Sequence, residues 1–322
     1  MTRKEALIWT FYGAVLILLF LASSTDLLIK EREDPVYPIS VVIEDSTDEE
    51  YANFRKGLDQ AAMEFNVDLS FITLYEKDQA DQQMEMLRRE QQDGAAAVIL
   101  APVDEEQMDQ ALNEEPLSIP LVLWNAETLS DRASALVSVD CAAMGRKLAE
   151  QVMERHGTEE TVLLLASGDN SVRRRFQAGI EERLSQAGCR IRLADGQERE
   201  DFRQALEALL SPAEETAVVV ALDQKSLRET ADLLKESPRY RPYVKGLYGR
   251  GTSIPILNAL DQGWISGLMV TDGFSAGYLC VKQAVGAAAD RLEETETVLD
   301  IYYIQREDLR DARYEKMLYP IE

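Results

Sequence analysis

From residue 38 onward the chain alternates short runs of aliphatic and β-branched residues with longer stretches whose apolar positions recur every three or four residues. An unbroken or alternating apolar run of four to eight residues marks a strand, and the longer spacing marks a helix with one buried face. The strand runs are "YPISVVIE", "VDLSFITLY", "AAVILA", "IPLVLW", "ALVSV", "TVLLLA", "RIRLA", "TAVVVAL", "YVKGLYG", "WISGLMV" and "VLDIYYI". Helical spacing is clear in "EEYANFRKGLDQAAMEF", "QADQQMEMLRREQQ" and "AAMGRKLAEQVMERHG", the last ending in Gly157, a residue suited to a helix C-cap. Alternation this regular predicts an α/β protein with parallel sheets and helices on both faces. Eleven strand runs exceed one comfortable sheet, so two doubly wound sheets are expected.

The first residues follow a different pattern. Arg3 and Lys4 precede an apolar run from Ala6 to Ala22 with no polar face. As a helix it spans about 25 Å, slightly short of a bilayer core. The flanking cations keep the start of the chain cytoplasmic and put the remainder outside. Residues 1–24 are read as a signal anchor or a signal peptide, with small residues Ala22 and Ser24 at the spacing of a cleavage site. No Cys follows the run, which excludes a lipoprotein anchor. Residues 25–37, containing "KEREDPVYP", read as a charged linker.

Charge narrows the partners. Lys and Arg number 34 against 58 Asp and Glu, a net charge of −24 that repels phosphate backbones and makes nucleic acid a poor partner. Cys141, Cys189 and Cys280 are widely spaced and lack a second ligand at metal spacing, so each reads as a small buried hydrophobe. His156 is the only histidine and sits at a predicted helix end, where an imidazolium complements the dipole. With no nucleophile–base pair to name, an enzyme is not expected, and no cofactor or metal is implied. "YGRGTS" is a fragment of a dinucleotide fingerprint that lacks its third Gly; a tight turn explains it. "DSTDEE" lacks the Gly of a calcium loop.

In doubly wound folds ligands bind beyond the carboxyl ends of the strands. There the chain carries "EDSTDEEY", "APVDEE", "WNAETLSD", "VDCAAMG", "ASGDNSVRRRF", "LDQKS", "YGRGTS" and "TDGFSAG". Asp45 and Asp48 gather at the end of the first strand, and Arg173, Arg174 and Arg175 open a later helix. Acids on one rim facing arginines on the other would latch two lobes or bind a donor-rich ligand.

Five landmarks, "YANFRKGLDQAAMEFNVDL", "AAAVILAPVDEE", "SIPLVLWNAE", "VSVDCAAMGRKLAE" and "GLYGRGTSIPILNALDQGWISGLMVTDGFSAGY", resemble in order the sugar-binding branch of the type I periplasmic-binding-protein fold. The ribose- and galactose-binding kind is meant, and within it the membrane-tethered forms of Gram-positive bacteria. The resemblance implies two lobes joined by three crossings, with ligand held between them. Lobe one would be 38–139 plus 272–297 and lobe two 140–271 plus 298–322, with hinges at Val139–Asp140, Thr271–Asp272 and near Val298. The family's pocket positions fall on Asp48, Glu50 and Tyr51 after the first strand and on Asn125 and Ala126 beside Trp124. In lobe two they fall on Arg175, with Arg174 as a rival, and on Asp223, Gly251 and Thr271. Asp140 and Asp272, at the crossings, complete the expected set.

The resemblance implies an extracytoplasmic binding protein that closes on a small ligand, a sugar or polyol, for an ABC permease or a membrane sensor kinase. A ligand-binding protein of the lactose-repressor kind without its DNA-binding domain shares the fold. Ala126, Leu222, Gly251 and Thr271 replace family polar groups while Asp48, Glu50 and Asp223 remain. That exchange leads to the expectation of a neutral, donor-rich sugar and of weak binding for ribose and for phosphorylated or carboxylated sugars.

Overall fold

The structure is a computed structural model that describes residues 3–24, 35–43, 51–74, 79–128, 130–210 and 215–319. Two compact units are present, residues 1–36 and 37–322. In the first, α1 (Arg3–Ser24) is a 22-residue helix whose large apolar side chains are exposed, Trp9 and Phe20 among them. At about 1.5 Å per residue it is long and apolar enough to cross a membrane.

The second unit holds two six-stranded sheets. Lobe one contains β1 (Tyr37–Ile43), β2 (Val67–Thr73), β3 (Ala97–Leu100), β4 (Leu121–Trp124), β5 (Ala135–Val139) and β11 (Glu296–Leu299), in the order β2-β1-β3-β4-β5-β11 and parallel throughout. Lobe two contains β6 (Thr161–Ala166), β7 (Arg190–Asp195), β8 (Ala217–Ala221), β9 (Val244–Arg250), β10 (Gly267–Thr271) and β12 (Ile301–Ile304), in the order β7-β6-β8-β9-β10-β12. Its β12 runs antiparallel to β10, a departure from the all-parallel expectation. An antiparallel edge strand is common on an otherwise parallel sheet, because only one side needs a partner.

Central strands β3, β4, β6 and β8 are buried along their whole length. Helices cover both faces, which is why these strands read as continuous apolar runs rather than alternating ones. The helices are α2 (Ala52–Phe65), α3 (Ala80–Gln92), α4 (Glu105–Glu114) and α10 (Gly273–Ala288) on lobe one. On lobe two they are α5 (Cys141–His156), α6 (Ser171–Gln186), α7 (Arg199–Leu210), α8 (Gln224–Glu236), α9 (Ile254–Asp261) and α11 (Ala312–Leu318). Gly157 ends α5 with φ of +77° and donates its N–H to the Met153 carbonyl.

Each lobe seats one helix pair without side chains at the crossing. A Cβ on Gly57 of α2 would lie 2.0 Å from the Phe274 carbonyl oxygen of α10, and one on Gly179 of α6 would lie 2.0 Å from the Ala142 oxygen of α5.

The chain passes between the lobes at three places among the described residues, and an aspartate stands in the middle of each. β5 ends at Val139 and α5 starts at Cys141, across Asp140. β10 ends at Thr271 and α10 starts at Gly273, across Asp272. β11 ends at Leu299 and β12 starts at Ile301, across Asp300. The run "VLDIYYI" is therefore two strands in two sheets. In the lobe-one sheet β11 runs to Leu299.

His156 differs from expectation. Its Nε2 lies 2.8 Å from the Tyr248 hydroxyl, and burial, with Arg155 beside it, lowers its pKa from 6.5. The ring is held neutral rather than as the imidazolium the helix dipole would favour.

Candidate functional site

The carboxyl ends of both sheets face one another across a cavity of about 180 Å³. That is where a doubly wound sheet places its ligand, because the connection direction reverses there and the loops part.

Lobe one supplies rings. Tyr51 enters α2 with no side-chain cap bond, Phe54 lies one turn on, and Trp124 ends β4. Phe54 and Trp124 stack at 5.3 Å and 20°, and Tyr51 meets Phe54 edge-on at 6.2 Å. Asn125 follows with φ of +61°, a left-handed conformation that asparagine tolerates and most residues do not. Behind these, buried Gln83 donates to the Ala101 carbonyl and accepts from the Val103 N–H, fixing the β3–α4 turn that carries Pro102 into the lining.

Lobe two supplies polar groups. Asn170, Gln224, Arg250, Thr252 and Thr271 line the cavity. Asn170 also caps α6 by accepting from the Arg173 N–H at 2.9 Å. Arg250, the last residue of β9, donates from Nε to the Leu222 carbonyl at 3.2 Å and lies over the Phe176 ring. Gly251 follows with φ of +141°, and a Cβ there would press on Gln224, so glycine is required. Gln224 Oε1 is buried without a partner among the described residues.

Of the residues selected from sequence, Tyr51, Trp124, Asn125 and Thr271 are brought together on the lining. Asp48 and Glu50, with Asp45, lie outside the described residues. The remaining acids sit at the strand ends as helix caps. Asp140 accepts from the Ala143 N–H and lies 3.9 Å from Arg146. Asp223 accepts from the Ser226 N–H and from both the N–H and hydroxyl of Ser167. Asp272 accepts from the N–H and hydroxyl of Ser275. A carboxylate so placed satisfies helix N–H groups that have no intrahelical acceptor. None of the three is on the cavity lining.

Arg175 is likewise placed beside the cavity. It pairs with Glu105 of lobe one and donates to the Asn125 carbonyl at 2.7 Å. Arg174 reaches Asp104 of lobe one at 3.6 Å, whereas Arg173 turns into lobe two to Asp169 and Asp195. Arginines on one rim thus meet acids on the other, and the described acids are those of "APVDEE". A second bridge runs from Asn53 of α2 to the Met317 carbonyl of α11 at 3.3 Å.

Residues missed from sequence are Asn53, Asn170, Gln224, Arg250 and Thr252. Arg250 lies in "YGRGTS" between two glycines, and its place directly after the strand run "YVKGLYG" was the available signal. Cys141 lines the cavity as a protonated thiol, its pKa raised by burial, and it adds no reactive group. Among the described residues no cluster of three or more His, Cys, Asp or Glu side chains is placed to hold a metal.

Two parallel-sheet lobes, three crossings and one cleft between facing strand ends define a two-lobed binding protein of the periplasmic type. Residues 39–291 match the periplasmic binding protein domain family, and the chain belongs to that family. The family is one of binding proteins rather than enzymes and is extracytoplasmic. Similar solved structures include GanP, a glucose-galactose binding protein of Geobacillus stearothermophilus, at 19% identity and TM-score 0.74, covering 86% of this chain and 99% of that one. An Agrobacterium vitis ABC-transporter solute-binding protein with bound D-fucose is similar at 14% identity and TM-score 0.77, covering 88% and 100%. A Bacteroides fragilis protein assigned as a LacI transcriptional regulator is similar at 16% identity and TM-score 0.74, covering 85% and 99%. At these identities the likeness is one of fold. No curated protein matches the sequence.

Proposed function

We propose that the protein is a solute-binding protein on the outer face of the cytoplasmic membrane, held there by α1, that closes on one small sugar or polyol. The observation that carries this reading is the division of the cavity wall. Three contacting rings on lobe one offer a stacking surface, and amide and hydroxyl groups on lobe two offer hydrogen bonds. A sugar ring has an apolar face and a polar rim, which such a wall accommodates. The closed form passes the ligand to an ABC permease or is itself read by a sensor kinase. A tethered protein suits the second role, since it need not diffuse to its partner. The repressor-type reading shares the fold, but the helix ahead of lobe one is apolar from Ala6 to Ala22, with its two cations confined to Arg3 and Lys4 at its start, and so offers no basic face to DNA.

A thermal-shift screen of the full chain in detergent tests the proposal with neutral and acidic sugars, polyols and amino compounds. Ligand at 100 times its Kd adds about 2.7 kcal/mol of stability by mass action. A rise in melting temperature confined to sugars or polyols is expected. A response only to amino compounds, or to nothing in the panel, would sink the reading.

A further inference from the structure

The charge of the cavity wall differs from the one the sequence led us to expect. Arg250 is the only charged side chain on the lining among the described residues. Of the acids expected to face a ligand, Asp140, Asp223 and Asp272 have oxygens committed to helix N–H groups and serine hydroxyls, and Asp48 and Glu50 lie outside the described residues. Arg250 spends its Nε on the Leu222 carbonyl, and its two Nη groups have no protein acceptor or carboxylate partner among the described residues. The other arginines near the cleft are each paired: Arg173 with Asp169, Arg174 with Asp104, Arg175 with Glu105.

A guanidinium withdrawn into a cleft loses hydration and needs a counter-charge or a full set of acceptors. The helix starts around it are capped: Asn170 caps α6, and Asp223 and Asp272 cap α8 and α10 with carboxylate oxygens spent on helix N–H groups. The net charge of −24 belongs mostly to solvated faces, and its effect falls off over a Debye length of about 8 Å. On the lining itself the guanidinium is the one charged group among the described residues.

We propose, building on the sugar-binding reading above, that the ligand is a sugar bearing a carboxylate and that Arg250 is the residue that selects it. The guanidinium fork matches a carboxylate in a two-bond arrangement, while the rings of Tyr51, Phe54 and Trp124 take the face of the sugar. One cation balances one negative charge, which favours a carboxylate over a doubly charged phosphate. This departs from the expectation of a neutral ligand, which rested on Asp48, Glu50 and Asp223: the last is a helix cap, and the other two lie outside the described residues.

The test is titration calorimetry on the full chain in lipid nanodiscs with matched pairs: D-glucose and D-glucuronate, D-galactose and D-galacturonate, D-mannose and D-mannuronate. D-galactose 6-phosphate is added as the dianionic arm. At least one uronate is expected to bind tenfold or more tighter than its neutral parent, with the phosphate weaker than the uronate. Arg250→Gln should bring that preference below threefold, and Arg250→Lys, which keeps a cation, should retain part of it. Melting curves without ligand show that both variants fold. Neutral sugars binding as tightly as their acids would overturn the carboxylate proposal and leave the sugar-binding reading standing. So would a phosphate that binds more tightly than the uronate. An undiminished preference in Arg250→Gln would remove that residue from the role. Absence of binding by every member of every pair would overturn both readings together.

Discussion

Lobe one meets the cavity with Tyr51 and Trp124 each packed on Phe54, and lobe two meets it with Asn170, Gln224 and Arg250. Yet the two lobes share a strand order and even a glycine-seated helix crossing, at Gly57 in one and Gly179 in the other. One scaffold has been lined twice, with the aromatic rings all on lobe one and the arginine on lobe two. Its rings are packed into lobe one's core, Trp124 being only 9% exposed, so that wall is set before any ligand arrives. On the proposed sugar-binding reading, a sugar ring would settle on the preset rings of lobe one before the polar groups of lobe two engage it.

The largest effect should come from the aromatic wall. Trp124→Ala removes a buried ring stacked on Phe54, and truncations of that size cost about 3–5 kcal/mol. Denaturant unfolding should show this loss, whereas Gln224→Ala on the facing wall should cost far less, because its Oε1 has no partner to forfeit. Equal losses would mean that the walls are equally structural.

Closure is the next quantity to break. Arg175→Ala removes the bond to the Asn125 carbonyl and the pair with Glu105, both linking the lobes, and hydrogen bonds to charged groups contribute about 1.5–3 kcal/mol. Small-angle scattering should find a larger radius of gyration and calorimetry a weaker affinity. Arg174→Ala, whose pair with Asp104 is longer and more exposed, should weaken affinity by less than about 1 kcal/mol and enlarge the radius of gyration less than Arg175→Ala does. A scattering curve unchanged in Arg175→Ala would show that the lobes close without the latch.

The smallest effect distinguishes the lobes by pH. His156 belongs to lobe two, and Arg155, Glu160, Lys245 and Tyr248 surround it. Its folded pKa lies below 6.5, so on acidification the unfolded chain takes up the proton first. Its contribution to stability is complete above about pH 6.5 and declines as pH falls from there toward the folded pKa. Hydrogen exchange at pH 7.5 and 5.5 should show lobe two loosening relative to lobe one, and His156→Gln should abolish the difference. Loosening centred on lobe one would contradict this assignment.

The alternation that defines both lobes was legible because strands covered on two faces need unbroken apolar runs, as in "AVVVA" of β8. Of the aromatic side of the cavity, Tyr51 and Trp124 were selected from sequence, one at the start of the helix after β1 and the other closing the run "IPLVLW", whereas Phe54 was not. What escaped was the direction of side chains that have a local competitor. Sequence places Asp223 at a strand end facing the cleft, but not that the Ser226 and Ser167 N–H groups claim its oxygens first. "VLDIYYI" conceals a change of sheet because both halves share one periodicity, and nothing in Asp300 itself marks the crossing. Arg250 was hidden differently, as a cation at the end of a strand with glycines on both sides.

The change of sheet at Asp300 also governs how the chain is made. Lobe one lacks α10 and β11 until residue 299 has been synthesised, and lobe two lacks β12 until residue 304. At about 5–20 residues per second a ribosome keeps both sheets unfinished for nearly the entire elongation time. A nascent chain that cannot close its cores stays extended, the form in which a polypeptide is threaded through a narrow translocation channel. A ribosome stopping just after Leu299 would release lobe one with all six of its strands and lobe two with the β10 edge unpaired, a ready site for intermolecular strand pairing.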